Sequence, residues 1–97
     1  MAHVRIALDT FRPGAADEAI RRTQQELVPL LRRQPGFIAY EIVRTGPDTA
    51  LFIHTCATEA QAADALQRVL GWAQERLGDM IVSVERHAGE VVFSTRA

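Results

Sequence analysis

The amino-acid sequence predicts a single α+β domain with the element order β-α-β-β-α-β. Three observations lead there: short stretches with a period of two, two long stretches of helical periodicity, and a polar turn joining two β-rich runs back to back. The first stretch sets Val4, Ile6 and Leu8 against His3, Arg5, Ala7 and Asp9, a strand with two unlike faces. Pro13-Gly14 then breaks it.

From Ala15 to about Arg33 the apolar residues Ala16, Ile20, Leu27, Leu30 and Leu31 recur at helical spacing. Asp17 and Glu18 open this helix and Arg32-Arg33 close it, the charge sense that complements the helix dipole. Pro29 lies inside it and lacks a backbone N–H, so a kink or loosened turn is expected there. Pro35-Gly36 ends the helix.

Phe37 to Arg44 and Leu51 to Thr55 are both rich in β-formers, with Gly46-Pro47-Asp48 between them, an antiparallel hairpin. A loop over Thr45 to Thr49 pairs Arg44 with Ala50. Ile42 then faces Phe52, Tyr40 faces His54 and Ile38 faces Cys56, all on one side of the sheet. Thr58-Glu59-Ala60-Gln61 has the form of a capping box. The helix that follows carries Ala62, Leu66, Val69, Leu70, Ala73 and Leu77 on one face and ends at Gly78. Of the two β-rich pieces in the tail, Glu90 to Ser94 is taken as the last sheet strand and Met80 to Val84 as extended chain.

This order is the ferredoxin-like, split β-α-β arrangement: a four-stranded antiparallel sheet with both helices on one face. The other face is then bare, and the hairpin register places large apolar groups on a bare or half-covered surface. A second copy of the chain would bury such a patch through one symmetric interface, so a homodimer is expected.

Composition narrows the function. The chain has 97 residues, 47% of them apolar, and a net charge of −1, with no basic face to attract nucleic acid or an anionic membrane. It has no lysine and no asparagine, which removes Schiff-base chemistry and any asparagine that could position a substrate oxygen. Cys56 is the sole cysteine and no metal-ligand spacing occurs, so neither a disulfide nor a metal site is expected. With no apolar run near ~18 residues and no leader pattern, the expected compartment is the cytoplasm.

Pro35-Gly36-Phe37 with Tyr40, the hairpin, the second helix with Trp72 near its end, and Ala88-Gly89-Glu90-Val91-Val92 together resemble the dimeric α/β-barrel superfamily. Within it they are similar to the antibiotic biosynthesis monooxygenase-like domains. The resemblance covers nearly the whole chain. It implies one of two chemistries: oxidation of electron-rich phenols by molecular oxygen without a cofactor, or haem opening by an asparagine, a tryptophan and a histidine. The sequence lacks the asparagine and has no histidine after Trp72 on that helix, so haem degradation is not expected.

The expected function is a cofactor-free monooxygenase acting on a small phenol or hydroquinone. The alternative is a non-catalytic dimeric module of the same fold that binds a small ligand or regulates a partner. His54 is the candidate base, because a neutral imidazole can take a phenolic proton near neutral pH. The competing role is a histidine satisfied at the dimer interface. Tyr40 is the candidate hydrogen-bond partner, and Trp72, Phe52 and Ile42 are candidate walls for a flat ligand, with plain core packing as the other possibility. Arg5 and Asp9 share the polar side of the first strand and could pair with each other. Cys56 reads as a small buried apolar residue.

Overall fold

The structure is a computed structural model that describes residues 1–96. Strand β1 is His3–Phe11; helices α1 (Ala16–Arg22) and α2 (Val28–Arg32) flank a π-helical segment, Thr23–Leu27. Strands β2 (Phe37–Gly46) and β3 (Thr49–Cys56) form the hairpin, followed by helix α3 (Glu59–Leu77) and strand β4 (Ile81–Glu90). The four strands lie in the order β2-β3-β1-β4, with every neighbour pair antiparallel, which is the ferredoxin-like topology.

The expected loosening at Pro29 takes a definite form. The Val28 N–H reaches back to the Thr23 carbonyl, five residues away, so one wide π turn precedes the proline and α2 begins with Pro29 in its first turn. The helical path runs on through this point, so the N–H that Pro29 lacks is missing from the preceding turn, and the wide π turn is where the chain accommodates that loss. The capping box of α3 is half made: Thr58 accepts from the Gln61 backbone N–H, while the Gln61 side-chain oxygen is buried without a partner.

The hairpin register agrees with expectation at Arg44–Ala50, Ile42–Phe52 and Tyr40–His54. It departs at the far end, where an irregularity between Phe37 and Ala39 sets Phe37, not Ile38, opposite Cys56 and leaves Ile38 exposed. The last strand also differs from the sequence reading. Strand β4 is Ile81–Glu90 and runs straight through His87-Ala88-Gly89, the stretch taken as a break. The whole length of β1 offers it hydrogen-bond partners, from His3–Glu90 to Phe11–Ile81, and this tertiary pairing overrides the weak local strand preference of Ala-Gly.

The hairpin's aromatic side is not the bare one. Ala50, Phe52, His54 and Cys56 are buried beneath the helices, where Phe52 joins Phe11, Ala16, Ala19 and Leu77 in one core cluster. Phe11 and Phe52 meet edge to face at 6.3 Å. Leu27, Leu31 and Ala65 form a second cluster, and Tyr40 and Trp72 pack against both. Because Arg5 pairs with His54, Ala7 with Phe52 and Asp9 with Ala50, β1 directs its polar side toward the helices. Its aliphatic residues Val4, Ile6 and Leu8 lie on the open face with Leu51 and Ile53 of β3. Period-2 alternation separates the faces but cannot say which is covered when both carry apolar groups.

Gly36 joins α2 to β2 with φ +82°, and a Cβ added there would meet the Gln61 side chain at 1.9 Å. Its carbonyl accepts from the Ala57 N–H at 2.8 Å, so the turn is tied to the end of β3. Gly14 has a similar φ of +84° with open space around it. Gly36→Ala is therefore expected to lower stability by about 2 kcal/mol in urea unfolding, and Gly14→Ala by about 1 kcal/mol, the left-handed penalty alone. Equal losses would show that the Gln61 contact is immaterial.

Candidate functional site

The space between the sheet and the helices is not fully filled. A cavity of about 330 Å³ lies over β1 and β3, large enough for a small ring system. Its apolar walls come from Leu27 on the π segment and Leu66, Val69, Trp72 and Leu77 on α3. Its floor is unlike a core: Arg5, Asp9, Tyr40 and His54 all line it, beside Ala7 and Phe52.

The two helical segments of the layer above this floor are held in place from outside. The Arg76 guanidinium grips the Glu26 carboxylate through two hydrogen bonds, at 2.7 and 3.0 Å, and Arg22 donates to the Arg76 carbonyl at 2.7 Å. The Glu26 carboxyl is held below its usual range first by Arg76 and more weakly by the Trp72 indole. This clamp fixes the π segment against α3 where Leu27 and Trp72 meet the cavity. Thr23 satisfies its buried hydroxyl on the Ala19 carbonyl at 2.8 Å.

Four of the five residues singled out from sequence converge here: His54, Tyr40, Trp72 and Phe52 line one cavity. Ile42 does not. It packs against the Phe11–Phe52 cluster, one register step along β2 from the cavity. His54 is 7% exposed, with its ring 5.5 Å from Tyr40 and 5.9 Å from Phe37. Its Nε2 lies 3.4 Å from the Cys56 Sγ, so Cys56 is a polar neighbour of the histidine rather than only a filler. Burial, and then the charge of Arg5, hold the His54 pKa below its ordinary value, so the ring is neutral at physiological pH. Tyr40 makes no hydrogen bond to His54 among the described residues. Burial and then the Asp9 carboxylate raise its phenol, so it remains a neutral donor.

Asp9 is the site residue that sequence reasoning missed. It does not pair with Arg5, which stands four positions away along the strand. It is 7% exposed, and its Oδ1 is buried without a partner. Burial pushes its pKa up to about 6, against a lowering pull from Arg86 at the cavity rim. The available signal was an aspartate in mid-strand with no partner at i±2, on the side of β1 that lacks large aliphatic groups.

Among the described residues no three histidine, cysteine or carboxylate side chains converge as a metal site. No histidine, cysteine or tyrosine of α3 faces the cavity, while His54, His87 and Tyr40 line it from the sheet, with the His54 Nε2 turned to Cys56. Among the described residues no helix is long and apolar enough to cross a membrane.

A ferredoxin-like domain with a cavity between its sheet and its helices is thus the class of protein defined here. The antibiotic biosynthesis monooxygenase profile matches residues 1–68, and the chain belongs to that family. The structure is similar to a protein of unknown function from Nitrosomonas europaea, with a TM-score of 0.82 and 16% identity over 99% of this chain and 94% of that one. It is also similar to the protein PA3566 from Pseudomonas aeruginosa, with a TM-score of 0.74 and 20% identity over 95% of each chain. A third similar structure is a MhuD variant with two manganese protoporphyrin IX molecules bound per active site. There the TM-score is 0.79, with 15% identity over 98% of this chain and 99% of that one. At these identities the likenesses establish the fold. A sequence search of curated proteins gives no match.

The buried Asp9 makes stability depend on pH in a stated direction. A carboxyl whose pKa is raised in the folded state favours folding when protonated, below its unfolded value of 3.8. That contribution is lost as pH rises through about 6. Asp9→Asn is expected to be more stable than the parent at pH ~7.5, by roughly 1–2 kcal/mol after allowing for solvent screening, and to lose the advantage by pH ~4. Urea unfolding at several pH values measures this, and a pH-independent difference would contradict it.

Proposed function

We propose that this chain is a cofactor-free monooxygenase of its family, acting as a homodimer on a small, flat, electron-rich phenol. The observation that carries the reading is the cavity itself, with apolar walls of Leu27, Val69 and Trp72 over a floor that holds proton-accepting groups. Ionisation of a phenol gives a phenolate that can reduce oxygen directly. A phenol with a free ring position consumes one O₂ and becomes a quinone plus water. One oxygen atom forms the new carbonyl and the other leaves as water, so the substrate is its own reductant. The protein must bind the ring, exclude water and accept the phenolic proton.

Two groups in the floor can take that proton. His54 is neutral through burial, and its Nδ1 keeps a lone pair when Nε2–H points at Cys56. Asp9, at a pKa of about 6, is mostly ionised at neutral pH yet far more basic than an ordinary aspartate. Tyr40, a neutral phenol in the lining of the same cavity, would donate to a developing oxyanion. The second reading, a non-catalytic ligand-binding module, is favoured by one observation: among the described residues neither His54 nor Asp9 is hydrogen-bonded to an orienting carboxylate, and the cavity histidine that is, His87 to Glu85 at 3.0 Å, is exposed to solvent. The homodimer rests on the open face of Val4, Ile6, Leu8, Leu51 and Ile53, an aliphatic strip that a second sheet would cover.

Oxygen uptake with a panel of hydroquinones tests the reading. The parent protein should consume about one O₂ per hydroxylated quinone formed, with the new oxygen atom drawn from O₂ and no hydrogen peroxide released; peroxide with an unhydroxylated quinone would show simple oxidation instead. His54→Gln or Asp9→Asn, whichever removes the base, should slow turnover ~10²-fold with the fold intact by circular dichroism. Binding of the same compounds without oxygen uptake would instead establish the ligand-binding module. Light scattering at micromolar concentration should give about twice 10.8 kDa, and a monomer would refute the dimer.

A further inference from the structure

Arg5 is a cation without a counter-charge. Among the described residues it makes no ion pair and no side-chain hydrogen bond, and its Nε is buried with no partner. The cross-strand neighbour it faces is His54, which is neutral. Along the same strand, separated by Ala7, stands Asp9, whose Oδ1 is likewise buried and unpartnered. Both side chains line the one cavity. Each side chain carries a charge that the fold leaves unpaired, and a ligand in the cavity would meet it through the terminal guanidinium nitrogens and the second carboxylate oxygen, not through the buried Nε and Oδ1.

The two poles differ in chemistry. The Arg5 end offers a guanidinium, a fork of donors matched to a carboxylate or another ionised oxygen. The Asp9 end offers a carboxylate at neutral pH, which accepts from a hydroxyl and repels an anion. Arg86 stands at the rim, where its charge is felt by Asp9, but it makes no ion pair with it among the described residues. Between the poles the floor is apolar, with Ala7 and Phe52 paired across the strands. Four residues of strand place the two Cα atoms roughly 13 Å apart at ~3.3 Å per residue. That span suits a fused two-ring body with a polar group at each end.

We infer that the cavity selects hydroxylated aryl acids, with the ionised acid on Arg5 and the hydroxyl on Asp9. This deepens the reading of the cavity as an aromatic site and rests on it. Binding to Asp9 also directs the hydroxyl proton at a group able to accept it, so recognition and ionisation fall to one residue.

Isothermal titration of the intact protein at neutral pH with 6-hydroxy-2-naphthoate, 2-naphthol and 2-naphthoate tests this. The hydroxy acid should bind at least about tenfold tighter than 2-naphthol. Arg5→Gln should abolish that preference, the loss falling on the hydroxy acid far more than on 2-naphthol, and Arg5→Lys should retain part of it. The hydroxy acid should also outbind 2-naphthoate, and Asp9→Leu should remove that difference. If 2-naphthol binds as tightly as the hydroxy acid to the parent protein, the inference fails while the aromatic cavity stands. The wild-type comparison decides this even if a variant does not fold. A preference for the acid that survives Arg5→Gln in a folded protein overturns the role of Arg5. If none of the three compounds binds, the aromatic-site reading falls and this inference falls with it.

Discussion

Strand β1 turns Arg5 and Asp9 toward the helices and Val4, Ile6 and Leu8 away from them, and the rest of the molecule follows from that choice. A four-stranded sheet with one helical layer has one covered face and one open face. Ordinary burial would put the aliphatic side of β1 under the helices, because covering a Val, Ile or Leu side chain gains ~1.5–3 kcal/mol while covering an unpaired charge costs several. The opposite arrangement is tolerated for two reasons. The covered side holds a half-open cavity instead of a tight core, and the neighbouring strand supplies Phe52, Ala50 and Cys56 to carry the packing.

The helical layer is built to leave that cavity open. The π turn before Pro29 offsets α2 from α1, so Leu27 and Leu31 form a cluster of their own with Ala65 rather than extending the one around Phe11. Tyr40 and Trp72 bridge the two clusters. The Glu26–Arg76 pair and the Arg22 bond to the end of α3 hold the helical segments together at the surface, where side chains can be spared from the space beneath. Spacing and clamping do the work that complete side-chain filling performs in an ordinary core.

The same enclosure sets the electrostatics. Burial keeps His54 neutral, raises Asp9 into the range of a usable base and keeps the Tyr40 phenol protonated. The charges act in a chain: Arg5 on His54 and Cys56, Asp9 on Tyr40, and Arg86 on Asp9. A flat ligand entering this space would meet these groups already poor in water, where each interaction made with them is strengthened. The open aliphatic face, meanwhile, is free for association without disturbing the site.

Much of this was legible in the sequence, because it depends on local chemistry. The element order, the loosening at Pro29, the cap at Thr58 and most of the hairpin register follow from backbone rules that act over a few residues. Tyr40 and His54 were placed together by strand pairing alone, and Phe52 beside them. Tertiary structure decided the rest. Both sides of β3 carry apolar residues, so no pattern within the strand could say that Phe52 and His54 face the helices while Leu51 and Ile53 do not. The run of β4 through Ala88-Gly89 needed β1 alongside it, and Ile42 missed the cavity because the cavity's bounds are set by α3. Asp9 became a site residue only through what the fold withholds from it: water, and a partner for its buried oxygen.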